Sequence, residues 1–139
     1  MTEYSHLEKI KKDLNFIKGY WVIIYGSFID GNYINGRSDI DVAIISQLKE
    51  REKNKELFET ILSSIIPPYD IKVFELLPLY LQMEIINHYE VLFGDTFEIS
   101  EYFYQFRKLW KDMKNRIENN QFSTIKEKIE LIERRKESV

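Results

Sequence analysis

The sequence predicts an α/β (α+β) fold: a mixed β-sheet flanked by helices, followed by C-terminal amphipathic helices. Three observations carry this. Two short runs rich in Val and Ile, Trp21–Tyr25 and Val42–Ile45, are bounded by Gly, Asn and Ser, as buried strands are. A third such run follows Pro67-Pro68. Between and around the runs, apolar residues recur at the 3.6-residue helical period.

Residues 4–18 are expected to be helical. Leu7, Ile10, Leu14 and Ile17 fall on one face, Ser5 and Glu8 have the spacing of a capping box, and Gly19 suits the stop. A first strand spans 20–25. The loop 26–37 carries Gly26, Gly31 and Gly36, with one helical turn expected after Ser27. A second strand spans 39–45, antiparallel to the first because only a loop joins them. A helix over 48–65 presents Leu57, Phe58, Ile61, Leu62 and Ile65, its first half charged and solvated, and Pro67-Pro68 ends it. A third strand follows over 69–76, then a helix from Pro78 to about Asn87 with Leu79, Met83 and Ile86 inward, then a short strand at Glu90–Phe93 closed by Gly94-Asp95. Two further helices complete the chain: 98–118, with Phe103, Phe106, Leu109, Trp110, Met113 and Ile117 on one side, and a last one after a break at Asn119-Asn120-Gln121. Ser123 would cap that last helix, and Ile125, Ile129 and Ile132 would form its stripe. The division expected is a core over 1–97 and a helical extension over 98–139 that packs on the core or on a partner.

At 139 residues the chain is one domain in length. Its net charge of −3, with both signs interspersed, does not point to nucleic acid. The absence of Cys excludes disulfides, thiol catalysis and Cys-zinc sites. The first residues lack the pattern of a signal peptide and no apolar run approaches the ~20 residues of a membrane span, so a cytoplasmic protein is expected.

The chemistry is concentrated between Gly26 and Asp41. Asp39 and Asp41 stand at i and i+2, so in a strand they share a face roughly 6.5 Å apart. Asp is disfavoured in strands, and two carboxylates at about 4 Å repel by ~4 kcal/mol near a surface. A divalent cation reverses that sign, and Mg2+ takes its oxygens from one or two carboxylates plus substrate phosphates. Gly26 lets the backbone approach a ligand closely, and Ser27 can open a helical turn whose free N–H groups face a phosphate. The blander readings, a capped turn and a polar strand junction, are each common for such residues taken singly. It is their combination at this spacing that points to a site.

Gly26-Ser27, Gly31 and Asp39-x-Asp41 resemble the G-S…D-x-D signature of the DNA polymerase beta-like nucleotidyltransferase superfamily, and the spacing is most similar to its minimal nucleotidyltransferase (MNT) branch. The resemblance covers about residues 20–95. It implies a nucleotidyltransferase-like sheet and a third carboxylate, for which Asp70 stands in the expected place. It further implies transfer of a nucleoside monophosphate, AMP from ATP, to an acceptor hydroxyl, with two Mg2+ ions. Asp39, Asp41 and Asp70 would hold the metal, with Asp70 also helping to deprotonate the acceptor. Gly26, Ser27, Arg37 and Ser38 would contact the nucleotide. Many relatives carry basic or small residues after the Gly-Ser, whereas this chain has Phe28-Ile29-Asp30, so Asp30 must point away from a triphosphate, and Arg37 is the nearby cation. MNT proteins are often antitoxins paired with a HEPN-type toxin, so a HEPN partner that is adenylylated or capped, or a homodimer, is implied. The competing class is an antitoxin that binds nucleotide without transferring it. A third, an enzyme extending RNA 3′ ends, is disfavoured by the acidic charge.

Other residues carry less. Lys72 shares the face of Asp70 and could balance it or meet a phosphate, while Glu75 falls on the opposite face. His6 and His88, with no partner at ligand spacing, are expected to be structural or surface residues. The aromatic run Tyr102-Phe103-Tyr104-Phe106-Trp110 is expected to pack on the sheet rather than stack on bases.

Overall fold

The computed structural model describes residues 3–33 and 37–137. Gly36 lies outside them. Eight elements matter for the site: α1 (Glu3–Asp13), β1 (Trp21–Tyr25), α2 (Ser27–Asp30), β2 (Ile40–Ile45), α3 (Arg51–Leu62), β3 (Tyr69–Val73), α4 (Leu79–Asn87) and β4 (Tyr89–Phe93). A single long helix, α5 (Thr96–Glu137), completes the chain.

The sheet order is β3-β2-β1-β4. β1 runs antiparallel to both β2 and β4, and β2 pairs with β3 in parallel through the crossover helix α3. Both faces are covered, which is why the strands read as nearly continuous apolar runs rather than as alternation. On one face Val22, Ile24, Ile40, Val42, Ile44 and Ile71 meet Ile10 of α1, Leu14 just beyond it and Ile61 of α3. On the other, Ile23, Ala43 and Ile45 meet Ile85 and Ile86 of α4 and Ile99 and Phe103 of α5.

Local departures from expectation have physical causes. The first helix already runs at Glu3, so Ser5 lies inside it and is not its cap. It ends at Asp13, and the chain tightens into a 3-10 turn at Asn15–Ile17, with Ile17 N–H donating to the Leu14 carbonyl. That turn brings both Leu14 and Ile17 into the core. In α3, Leu62 is exposed, and the half expected to be solvated buries Asn54, which donates to the Leu48 and Glu50 carbonyls. β3 stops at Val73 because Phe74–Leu76 turn into a 3-10 helix.

The largest departure is α5. It is continuous over 42 residues, so there is no break at Asn119-Asn120-Gln121 and no second N-cap at Ser123. The segment holds no Gly or Pro, and Asn or Gln costs only a few tenths of a kcal/mol in a helix interior, too little to end one. At 1.5 Å per residue the helix is about 63 Å long, far longer than the sheet it packs against. Its start at Thr96 and the burial of Ile99 and Phe103 make its first turns part of the core. Leu109, Met113, Ile117 and Ile129 are exposed. The side chains of Ile125 and Ile132 lie outside the described residues. Among the described residues no helix is long and apolar enough to cross a membrane.

Glu75 is a clamp. Its carboxylate accepts from the Ser46 and Gln47 N–H groups at 3.0 and 2.9 Å and from the Tyr102 hydroxyl at 2.8 Å, fixing the exit of β2 to α5. Burial, and then the adjacent carboxylate, push the Tyr102 hydroxyl well above the ordinary phenol range. Tyr102→Phe removes one donor and leaves two, so a stability loss of about 1–2 kcal/mol is expected in urea unfolding. No loss at all would show that the two backbone donors suffice. Phe103 and Phe106 pack against Phe74, the first tilted and the second edge-on, so much of the aromatic run packs as expected, although Tyr104 is exposed.

Candidate active site

The site is assembled by register. Tyr25 is the Cα partner of both Asp41 and Tyr89, and Asp41 is the partner of Asp70. One row therefore crosses the whole sheet at one end: Tyr89, Tyr25, Asp41, Asp70. Partners in register project to the same face. This is the face covered by α4 and α5, but at this end the helices give way to a cleft of about 280 Å³.

Gly26 makes the edge of that cleft. Its φ of 78° is one that residues with a side chain rarely adopt, and a Cβ there would collide with the Asp41 carboxylate. The chain can leave β1 against a carboxylate only because this residue has no side chain. The Gly26 carbonyl accepts from the Ile29 and Asp30 N–H groups, and Gly31, at φ 82°, closes the single turn α2.

The acids repel one another. Burial, then Asp70, raises the Asp41 pKa above the usual carboxylate value; Lys72 opposes this and Asp39 adds to it. Burial, then Asp41 and Asp70, also push the Tyr25 hydroxyl well above its ordinary range. Lys72, one strand step beyond Asp70, places its Nζ 3.7 Å from an Asp70 oxygen. Asp39 is exposed and lies just ahead of β2.

Gly26, Asp41, Asp70 and Lys72 are thus brought together, with Ser27 beside them at the start of α2. Arg37 is exposed in the turn before β2; of the expected site residues Gly26 and Asp41 line the cleft, and Ser27, Arg37, Ser38, Asp39 and Asp70 do not. Among the described residues no three of the acids and histidines converge on one point at metal-holding distance. The donor set nevertheless fits a hard divalent cation: oxygen ligands only, and mutually repelling.

The cleft also contains residues for which the sequence suggested no role in a site. Its far walls are Leu77, Leu81, Glu84 and Ile85 from α4 and its approach, together with Asp30 and His88. His88 Nδ1 pairs with an Asp30 oxygen. Asp30 is therefore paired with a histidine, but it lines the cleft rather than pointing away from it. His88 is a surface residue, as expected, and it also lines the cleft. The available signal was its place immediately before β4, a position that only pairing of β4 with β1 makes informative.

Residues 7–98 match the family profile described as Polymerase beta, Nucleotidyltransferase. The chain is 43% identical over 114 residues to a protein of Methanocaldococcus jannaschii whose proposed role is protein adenylyltransferase; the match covers 82% of this chain and 88% of that one. Its fold is similar to that of a chain in a crystal structure of a toxin–antitoxin pair with AMP-PNP, with a TM-score of 0.58 at 18% identity over 78% of this chain and 89% of the other. It is also similar to a chain in the complex of the tri-AMPylated Shewanella oneidensis HEPN toxin with its MNT antitoxin, with a TM-score of 0.53 at 15% identity over 81% and 90%.

Proposed function

The chain belongs to the polymerase beta nucleotidyltransferase family and is a nucleotidyltransferase, and from that premise we propose that it transfers AMP from ATP to a hydroxyl on a partner protein. The observation that carries this reading is the in-register pair Asp41–Asp70 beside the positive-φ Gly26.

In this reading Asp39, Asp41 and Asp70 hold divalent cations, with Mg2+ expected. Gly26, Ser27, Ser38 and Arg37 contact the nucleotide. Bound there, the cations supply Lewis-acid charge that offsets the charge developing on the attacking and leaving oxygens. The chain's own residues do the rest. Gly26 keeps the backbone low enough for phosphates to reach Asp41. The Ser27 hydroxyl and the first N–H groups of α2 donate to phosphate oxygens. The acceptor oxygen attacks the α-phosphorus in line, the bond to the bridging oxygen breaks, and pyrophosphate leaves.

The relative's proposed role and the complexes in which the fold is found favour a protein acceptor, of HEPN-toxin type. The exposed stripe Leu109, Met113 and Ile117 on the extension over 98–139 offers that partner, or a second copy of the chain, an apolar face. A second reading, a module that binds nucleotide without transferring it, is favoured by one observation: Lys72 already occupies an oxygen of Asp70.

The experiment uses ATP labelled at the α-phosphate, with the γ-labelled form as control, in lysate of the source cells with Mg2+. Label from the α- but not the γ-position is expected on one protease-sensitive band, and Asp39→Asn abolishes it. Persistence of the band with Asp39→Asn sinks the metal assignment. A nuclease-sensitive band replaces the protein acceptor with RNA. No transfer, with ATP still raising the melting temperature, leaves the binding module.

A further inference from the structure

We infer that His88, held by Asp30, is the base that takes the proton from the acceptor hydroxyl during transfer; this rests on the reading of the site given above.

Three observations lead there. His88 and Asp41 line the same cleft. Its Nδ1 faces an Asp30 oxygen. A carboxylate at Nδ1 fixes the tautomer that carries its hydrogen there, so Nε2 presents a lone pair, and it steadies the imidazolium that forms when Nε2 takes a proton. His88 directly precedes β4, at the end of the row that Tyr89, Tyr25 and Asp41 form; its backbone adjoins that row, and it is the shared cleft that brings its side chain to the site. β4 is two strands from β2, so the two backbones are about 9–10 Å apart. That span leaves room between the carboxylate and the imidazole for an α-phosphorus and an incoming hydroxyl.

The acids of the row are poorer candidates for this step. Asp70 has an oxygen against Lys72, and Asp41 and Asp70 would be committed to cations when the site is loaded. A carboxylate whose lone pairs are shared with positive charge accepts protons weakly. The groups facing the cleft around His88 are Asp30 from α2, Tyr25 from β1, Asp41 from β2, Lys72 from β3 and Glu84 from α4. Of these only His88 is an imidazole, the side chain that most often serves as a general base.

The step balances. The acceptor O–H bond breaks and its proton goes to His88 Nε2. The acceptor oxygen bonds to the α-phosphorus as the bond to pyrophosphate breaks, and the His88 proton returns to water. Asp30 is a positioning residue. It touches no reacting atom and keeps the ring turned.

The test is single-turnover transfer from α-labelled ATP to the lysate band, with the full chain and Mg2+. The His88 side chain is 60% exposed, so a free base can enter in its place. His88→Gly is expected to slow transfer by about 10²–10⁴-fold, to keep the ATP-induced rise in melting temperature, and to recover at least ~10-fold when imidazole is added, the low end of what a positioned base supplies. Asp41→Asn shows no recovery with imidazole. Asp30→Asn slows transfer, and Asp30→Glu restores it. Transfer by His88→Gly at the unaltered rate, or a loss that imidazole leaves untouched, overturns the inference while the site reading stands. Absence of transfer by the unaltered protein overturns both.

Discussion

Asp41→Asn is expected to abolish transfer and, in metal-free buffer at neutral pH, to raise the melting temperature. The two effects share one cause. The charge that recruits a cation is a liability without one. Asp41 lies among burial, Asp70 and Asp39, and its carboxyl is held above the usual value with only Lys72 in opposition. A group in this condition binds protons more readily folded than unfolded. Folding stability is therefore full below the ordinary aspartate range and is lost as pH rises through the raised folded value. Asn keeps the shape and removes the charge, so it removes that loss. Melting curves of the two proteins should converge as pH falls toward the ordinary aspartate range and diverge above it. Added Mg2+ should reverse the order at neutral pH, because it stabilises the wild-type cluster by binding it and the variant much less. The activity loss is set by the Lewis-acid charge no longer held at the reacting phosphate. That charge is worth several kcal/mol, on the order of 10³-fold in rate. A variant that melts below the wild type in EDTA at neutral pH would falsify the repulsion account.

Gly26→Ala is the second large effect, and it acts on fold and site together. The backbone at φ 78° disfavours any side chain, at a cost of about 1–3 kcal/mol. The new Cβ also meets the Asp41 carboxylate, so either α2 or Asp41 must shift. Displacement of a reacting group by about 1 Å costs on the order of 10²-fold. Transfer should fall at least that far while the protein remains folded. The collision has a specific signature. In the double variant Gly26→Ala with Asp41→Ala the colliding group is gone. Its stability should exceed the sum of the single effects by a coupling of about 0.5–3 kcal/mol, as residues in contact show. Strict additivity in urea unfolding would mean that only the backbone strain is real and that the contact with Asp41 is not.

Much of this protein is written locally. Val- and Ile-rich runs bounded by Gly and Pro mark β1, β2 and β3, because β-branched residues suit a pleated surface covered on both sides, and the structure follows the first two within a residue and ends the third three residues early. Gly26-Ser27 and Asp39-x-Asp41 announce a loop-to-strand junction with repelling charges, because a glycine and paired acids at such a place conflict with strand propensity and need another cause. Where local preference is weak, the sequence misled. Asn119-Asn120-Gln121 looks like a break yet lies within α5, since modest helix formers do not stop a helix that no Gly or Pro interrupts.

Pairing across the chain decided the rest. Only the parallel register of β2 with β3 puts Asp41 opposite Asp70, residues 29 positions apart in sequence. The close approach of the Asp41 carboxylate, which Gly26 alone can accommodate, follows from the antiparallel pairing of β1 with β2. The pairing of β4 with β1 carries His88 to Asp30 and makes a histidine expected only at the surface part of the cleft wall. The sequence determined which segments become strands and helices, because propensity and hydrophobic period act over a few neighbouring residues. The tertiary structure decided which side chains share a row, because register is fixed by burying both faces of the sheet at once, and a slip of one residue would send every acid to the opposite side.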